Sequence, residues 1–122
     1  MKKKTICFDL DGVIGTNTWG KYKSAKPIKK NIEYINSLHK NFKIIIFTSR
    51  FMGRNKDNVK KAEKEGYRFT LNQLAKWNVK FDKLILGKPS YDVIVDDKAL
   101  FFKKNWINHL KNHILRLDNS SS

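Results

Sequence analysis

The stretch Ile6-Cys7-Phe8-Asp9-Leu10-Asp11-Gly12-Val13 decides how the rest of the chain is read. Its apolar half has the composition of a buried strand, and it stops on two aspartates. Side chains two apart on a strand share a face. Asp9 and Asp11 are therefore expected together at the strand's C-terminal end, where an open α/β sheet has its binding crevice. Two carboxylates this close repel, and a cation between them relieves the repulsion. Hard oxygen ligands suit Mg²⁺. A second acidic pair, Asp96-Asp97, ends a second apolar run, Val93-Ile94-Val95. Two acidic strand ends in one short chain point to a metal site built for phosphate chemistry.

Outward from that stretch, hydrophobic periodicity lays out the elements. Residues 5–10 are the expected first strand, and residues 13–26 a Gly/Thr/Asn/Lys loop carrying Trp19 and Tyr22. Pro27 opens a helix to about residue 40, with Ile28, Ile32, Ile35 and Leu38 at helical spacing. Residues 43–47 read as a buried strand, because Ile44-Ile45-Ile46 is the continuous β-branched run of a parallel sheet. A second helix over about 57–65 stops at Gly66. Thr70-Leu71-Asn72-Gln73 fits a capping box that starts a short helix to Trp77. Residues 83–86 and 92–95 are the third and fourth strands. A last amphipathic helix over about 100–117 carries the stripe Phe102, Trp106, Leu110, Ile114 and Leu117, read as packing on the sheet, with a homo-oligomer (dimer) surface or a membrane contact as the alternative. Alternating strands and helices predict a doubly wound, Rossmann-like three-layer α/β sandwich with a mostly parallel sheet. At 122 residues the expectation is one domain over 1–117 and a disordered tail over 118–122.

Lys and Arg number 26 against 11 Asp and Glu, a net charge of +15. The basic residues are mostly lysines scattered along the chain, which reads as composition bias, with a polyanion partner such as nucleic acid as the alternative. A positive field still steers phosphorylated substrates inward. No apolar run is long enough to span a membrane. The run after Met1-Lys2-Lys3-Lys4 is too short for a signal peptide, so a cytoplasmic protein is expected. One cysteine, Cys7, excludes an internal disulfide and a Cys-based zinc site. It falls inside the first strand and is expected as a small core residue. His39, His109 and His113 fall in helical regions and are read as surface or packing residues.

Two further strand ends carry polar groups, Thr48-Ser49-Arg50 and Gly87-Lys88-Pro89. In a parallel sheet all these ends share one edge. A carboxylate there can attack phosphorus, and a second can protonate the leaving oxygen and then deprotonate water. The hydroxyls of Thr48 and Ser49 and the Lys88 ammonium can hold phosphoryl oxygens. Arg50 and Arg54 are candidates to grip a substrate anion, or are loop residues. Trp19 and Tyr22 offer ring faces to a leaving group.

This constellation resembles the haloacid dehalogenase superfamily of phosphohydrolases over essentially the whole chain. The four motifs stand here as Asp9-Leu10-Asp11-Gly12, Thr48, Lys88 and Asp96-Asp97. The resemblance implies Asp9 as nucleophile and Asp11 as general acid/base. It also implies Mg²⁺ held by Asp9, the Asp11 backbone carbonyl and Asp96, with Asp97 beside them. Lys88 precedes Asp96 by only eight residues, where many relatives insert a helix, and neither inter-motif stretch has room for a cap domain. The chain is also similar to small proteins of this type encoded with bacterial capsule and surface-polysaccharide genes. Asp-Leu-Asp-Gly-Val-Ile, Phe-Thr-Ser-Arg followed by Met-Gly-Arg-Asn, and Leu-Gly-Lys-Pro-Ser-Tyr-Asp with Asp-Asp-Lys-Ala carry that likeness. It implies a phosphatase acting on a phosphorylated carbohydrate intermediate. Polynucleotide or nucleotide phosphatase, and a non-catalytic binding module, are the alternatives.

Overall fold

The computed structural model describes residues 2–120, with the side chains beyond residue 117 left aside. The chain divides into two compact units, Met1–Ser90 and Tyr91–Ser122, where the sequence led to one domain over 1–117.

The first unit is a mixed α/β structure. Strand β1 spans Lys4–Phe8, helix α1 Lys29–Leu38, strand β2 Phe42–Thr48, helix α2 Val59–Lys76 and strand β3 Lys83–Leu86. The sheet order is β1-β2-β3, all parallel, with Ile6 opposite Ile44 and Ile46 opposite Leu84. The β2 run has the composition of a strand covered on both sides, but its faces differ. Ile44 and Ile46 are fully buried, while Ile45 and Phe47 are half-buried. Ile32, Ile35 and Leu38 of α1 are buried, as their spacing requires, and so is Leu74 of α2.

Helix α2 is longer than the sequence suggested. Gly66 was expected to end one helix and Thr70 to start another, yet α2 runs through both. The glycine is needed for space and not as a terminator. A Cβ at Gly66 would collide with the Phe51 ring. Phe51 sits in the left-handed region, φ 67°, which is costly for a bulky residue. That turn reverses the chain just after β2 and drops the ring onto α2. Thr70 is fully buried inside the helix. The cap is Asn58, whose side chain accepts from the Lys61 N–H at 3.1 Å, the usual device for an orphan helix donor.

The second unit consists of residues 91–105 without regular structure and helix α3, Trp106–Ser120. The expected fourth strand over 92–95 is not formed. Val93, Ile94 and Val95 are 78%, 53% and 95% exposed. β-branched composition gives a segment the propensity for a strand, but a strand also needs a ladder partner, and none is recorded for this segment among the described residues. Without a fourth strand the order runs 1-2-3 with no reversal. Cys7, expected in the core, is exposed; it lies on β1, which among the described residues is an edge strand beside β2. Helix α3 begins at Trp106 and not near residue 100. Trp106 and Leu110 are buried, Ile114 is half-buried, and Phe102 is 47% exposed with its ring 5.7 Å from that of Trp106. The helix continues to Ser120, past the expected tail boundary at 118, and residues 121–122 lie outside the described ones.

The Gly66 contact gives a test whose sign is informative. At an open helical position Gly→Ala stabilises by roughly 1 kcal/mol. Gly66→Ala should instead destabilise by about 1–3 kcal/mol, because overpacking displaces Phe51. Urea denaturation measures the difference, and a stabilised variant would mean the ring does not sit there.

Candidate active site

The side-chain alternation that begins in β1 continues past its end. Phe8 and Leu10 are buried, and Asp9 and Asp11 are only half-buried. The carbonyl of Leu10 then accepts from the N–H groups of Val13, Ile14 and Gly15 at 3.2, 2.8 and 3.1 Å. That knot of bonds fixes the turn carrying Asp11. The loop beyond is closed at its neck: Thr16 N–H donates to the Lys26 carbonyl and Lys26 N–H to Thr16 Oγ1, both at 2.9 Å.

Asp9 faces Lys88. The Lys88 Nζ lies 3.6 Å from Asp9 Oδ1, which also accepts from the Leu10 N–H at 2.8 Å. Lys88 reaches this point because Gly87, at φ 111°, turns the chain immediately after β3. In that conformation a side chain would be strained, and a Cβ would also press on Val59. Partial burial raises the Asp9 pKa above the usual carboxylate range. The Lys88 cation and the Leu10 N–H pull it down, and the Asp11 charge adds to the rise. Asp9 keeps 40% of its side-chain surface, so the nucleophile candidate remains open to solvent and substrate.

Thr48 ends β2 and is 1% exposed. Its Oγ1 accepts from the Arg50 N–H at 3.1 Å, which leaves the hydroxyl proton to donate elsewhere. The Lys88 N–H donates to the Thr48 carbonyl at 3.2 Å, holding the second and third strand ends side by side. Ser49 serves the same join: its hydroxyl donates to the Pro89 carbonyl at 3.1 Å. In this structure the Ser49 hydroxyl is spent on that join.

Asp11 is held differently. Arg50 donates from Nε to Asp11 Oδ2 at 2.9 Å and from Nη2 to Asp11 Oδ1 at 2.8 Å. The guanidinium is buried, with its Nη1 donating to Gln73 Oε1 at 2.6 Å. Both Asp11 carboxylate oxygens are thus engaged by one planar fork. Arg50, a candidate for gripping substrate, turns inward to a carboxylate of the protein itself. Tyr22 also faces inward. Its ring lies 4.7 Å from the Arg50 guanidinium carbon, and its hydroxyl accepts from the Phe51 N–H at 3.1 Å. Arg54 donates to the Gly20 carbonyl at 2.6 Å, approaches Glu65 at 3.4 Å and lies over the rings of Tyr22 and Phe51. It ties the loop to Glu65 of α2. Of the four residues read as reaching for substrate, Trp19 is 92% exposed and Arg54 is also exposed, while Tyr22 is half-buried and Arg50 buried.

Asp96 and Asp97 lie in the second unit, exposed, and follow no strand. Asp96 Oδ1 accepts from the Lys98 N–H at 2.9 Å, the local turn that an aspartate makes with its own backbone. Among the described residues no three His, Cys, Asp or Glu side chains gather as a metal cluster. Of the residues that the resemblance implies as metal ligands, Asp9 and Asp11 lie in the first unit, and Arg50 engages both side-chain oxygens of Asp11. Sequence reasoning missed Gln73 as part of the site and the inward role of Arg50. The available signal was Arg50 two residues past a buried strand that ends in Thr48.

No protein-family model matches the chain, and no curated protein matches it. A solved structure is similar: the crystal structure of an MCSG target from Vibrio cholerae, 26% identical, with a TM-score of 0.75, over 91% of this chain and 98% of that one. The likeness extends the mixed α/β architecture to a second protein and carries no activity with it. No helix among the described residues is long and apolar enough to cross a membrane.

The Asp9–Lys88 pair predicts the direction of a titration. Lys88 favours the charged form of Asp9, so Lys88→Met should raise the Asp9 pKa further and leave Asp9 protonated at a higher pH than in the wild type. Carbon-detected NMR of the Asp9 carboxyl follows it. A midpoint that stays put or falls would mean the lysine does not act on this carboxylate.

Proposed function

We propose that the chain is a Mg²⁺-dependent phosphomonoester hydrolase of the haloacid dehalogenase type, working through an aspartyl phosphate on Asp9. The observation that carries this reading is the pairing at the sheet edge. A half-exposed carboxylate stands 3.6 Å from a lysine ammonium, with the Thr48 hydroxyl at the end of the neighbouring strand. A nucleophile, a cation and a proton donor are the parts that phosphoryl transfer needs. The doubly wound three-layer sandwich belongs to the same reading, and so does a cytoplasmic location.

In the first step an Asp9 Oδ attacks phosphorus and forms an O–P bond. The bond to the leaving oxygen breaks, its electron pair goes to that oxygen, and Asp11 supplies the proton. In the second step water attacks the phosphorus of the aspartyl phosphate, Asp11 takes the water proton, and the electron pair of the broken bond returns to Asp9. Lys88 and Thr48 hold the equatorial oxygens, where charge accumulates. Bound Mg²⁺, held from this unit by the Asp9 carboxylate and the Asp11 carbonyl, supplies charge neutralisation at the phosphoryl oxygens.

The substrate proposed is a phosphorylated carbohydrate intermediate of surface polysaccharide synthesis. What supports it is the sequence likeness in residues 9–14, 47–55 and 86–92, together with the exposed Trp19 ring, since aromatic faces stack on sugars. The net charge of +15 favours one other reading, a polynucleotide phosphatase, whose activity would rise steeply as salt falls.

Asp9→Asn should lose turnover of a generic aryl phosphate by about a thousandfold or more and keep its fold, since the covalent step is gone. Steady-state kinetics with Mg²⁺, beside circular dichroism, measure both. Near-normal kcat in Asp9→Asn would contradict the mechanism. A wild type that turns over no phosphate ester would favour a binding module.

A further inference from the structure

Each of the three guanidinium nitrogens of Arg50 donates a hydrogen bond within the first unit. Two are taken by Asp11, and the third, Nη1, by Gln73 Oε1 at 2.6 Å. The Gln73 amide has only one workable orientation. Arginine donates and never accepts, so the oxygen must face Arg50. The nitrogen then faces the Tyr22 carbonyl and donates to it at 2.9 Å. The Tyr22 ring covers the guanidinium at 4.7 Å. With Arg50 only 1% exposed, water has little access to replace a lost partner. A guanidinium is a rigid plane, and a bidentate carboxylate lies in that plane. Gln73, on α2, therefore fixes the plane of Arg50, and Arg50 fixes the plane of Asp11.

We infer that Gln73 is a positioning residue for Asp11, acting through Arg50, and that the relay sets how well the Asp11 carboxyl is aimed at the leaving oxygen. The inference rests on the phosphatase reading and adds to it the residue that orients the acid. Each Asp11 oxygen gives one lone pair to Arg50 and keeps another for a proton, so the pair can stay formed while Asp11 works. In that step the proton moves from Asp11 to the leaving oxygen as the P–O bond breaks and its electron pair goes to the same oxygen. Asp11 is left as the carboxylate that Arg50 already holds. Aim matters most where the leaving oxygen needs the proton most. An alkoxide leaves poorly without it; p-nitrophenolate leaves readily.

The test uses the full chain with Mg²⁺ and compares kcat/KM for p-nitrophenyl phosphate and glycerol 2-phosphate. Gln73→Leu, which lacks both amide bonds, should lose about tenfold or more on the alkyl ester and less than about threefold on the aryl ester, within the span general acid catalysis covers. Gln73→Glu, which keeps an acceptor for Nη1, should recover most of the loss. Hydrogen exchange of the Arg50 Nε–H, followed by NMR, gives a readout without turnover: it should be slow in the wild type and in Gln73→Glu, and faster in Gln73→Leu. Equal losses on both esters, no loss on either, or unchanged exchange in Gln73→Leu would overturn the relay while the phosphatase reading stands. If Gln73→Leu does not fold, Gln73→Glu decides, and fast exchange or alkyl-ester activity as low as that of Asp11→Asn would overturn it. A wild type inactive on both esters would overturn the reading and the relay together.

Discussion

The Arg50 guanidinium is buried within the first unit, and a charge in that position must be met by partners the protein supplies. Asp11 meets it from the turn after β1, Gln73 from α2, and the Tyr22 ring from the loop. Arg50 itself follows β2, so one ionic centre holds four separate pieces of chain. Removing one member of a buried pair costs on the order of 3–5 kcal/mol, because the other is left unanswered. The same centre decides the geometry of the site. It draws Asp11 inward and occupies both its side-chain oxygens, while Asp9, two residues earlier, is left with solvent and Lys88.

That division gives two aspartates two environments. The Asp9 pKa is raised by partial burial and drawn back by Lys88. Asp11 is clamped by a fixed donor plane, which fixes how its carboxyl is oriented. The loop residues that looked available to substrate are largely consumed in building this arrangement. Tyr22 and Arg54 form a small stack with Phe51, and Phe51 in turn depends on the absence of a side chain at Gly66.

The three strands of the first unit were legible because each is a compact apolar run bounded by polar or turn residues. Residues 83–86 were read with the bounds that β3 has. Asp9 and Asp11 were legible because strand alternation fixes where they point. Three features were not. Gly66 has the look of a helix stop, and only the packing of Phe51, fifteen residues away in sequence, shows it as a space for a ring. Val93-Ile94-Val95 has the composition of a strand, but pairing is a property of two segments and cannot be read from one. Arg50 read as a grip for a substrate anion or as a loop residue, since nothing local says that a guanidinium will meet Asp11 and Gln73 from distant parts of the chain.

The proposed mechanism turns on the half-buried carboxylate of Asp9, just past the end of β1, taking up a phosphoryl group. The most direct measurement is peptide mass spectrometry of the protein after incubation with acetyl phosphate and Mg²⁺ and an acid quench, which preserves an acyl phosphate. The account predicts one added phosphoryl group on the peptide containing Asp9, sensitive to hydroxylamine and absent when Mg²⁺ is withheld. Phosphate ester turnover with that peptide always unmodified, or with the phosphoryl group found on a different residue, would contradict it.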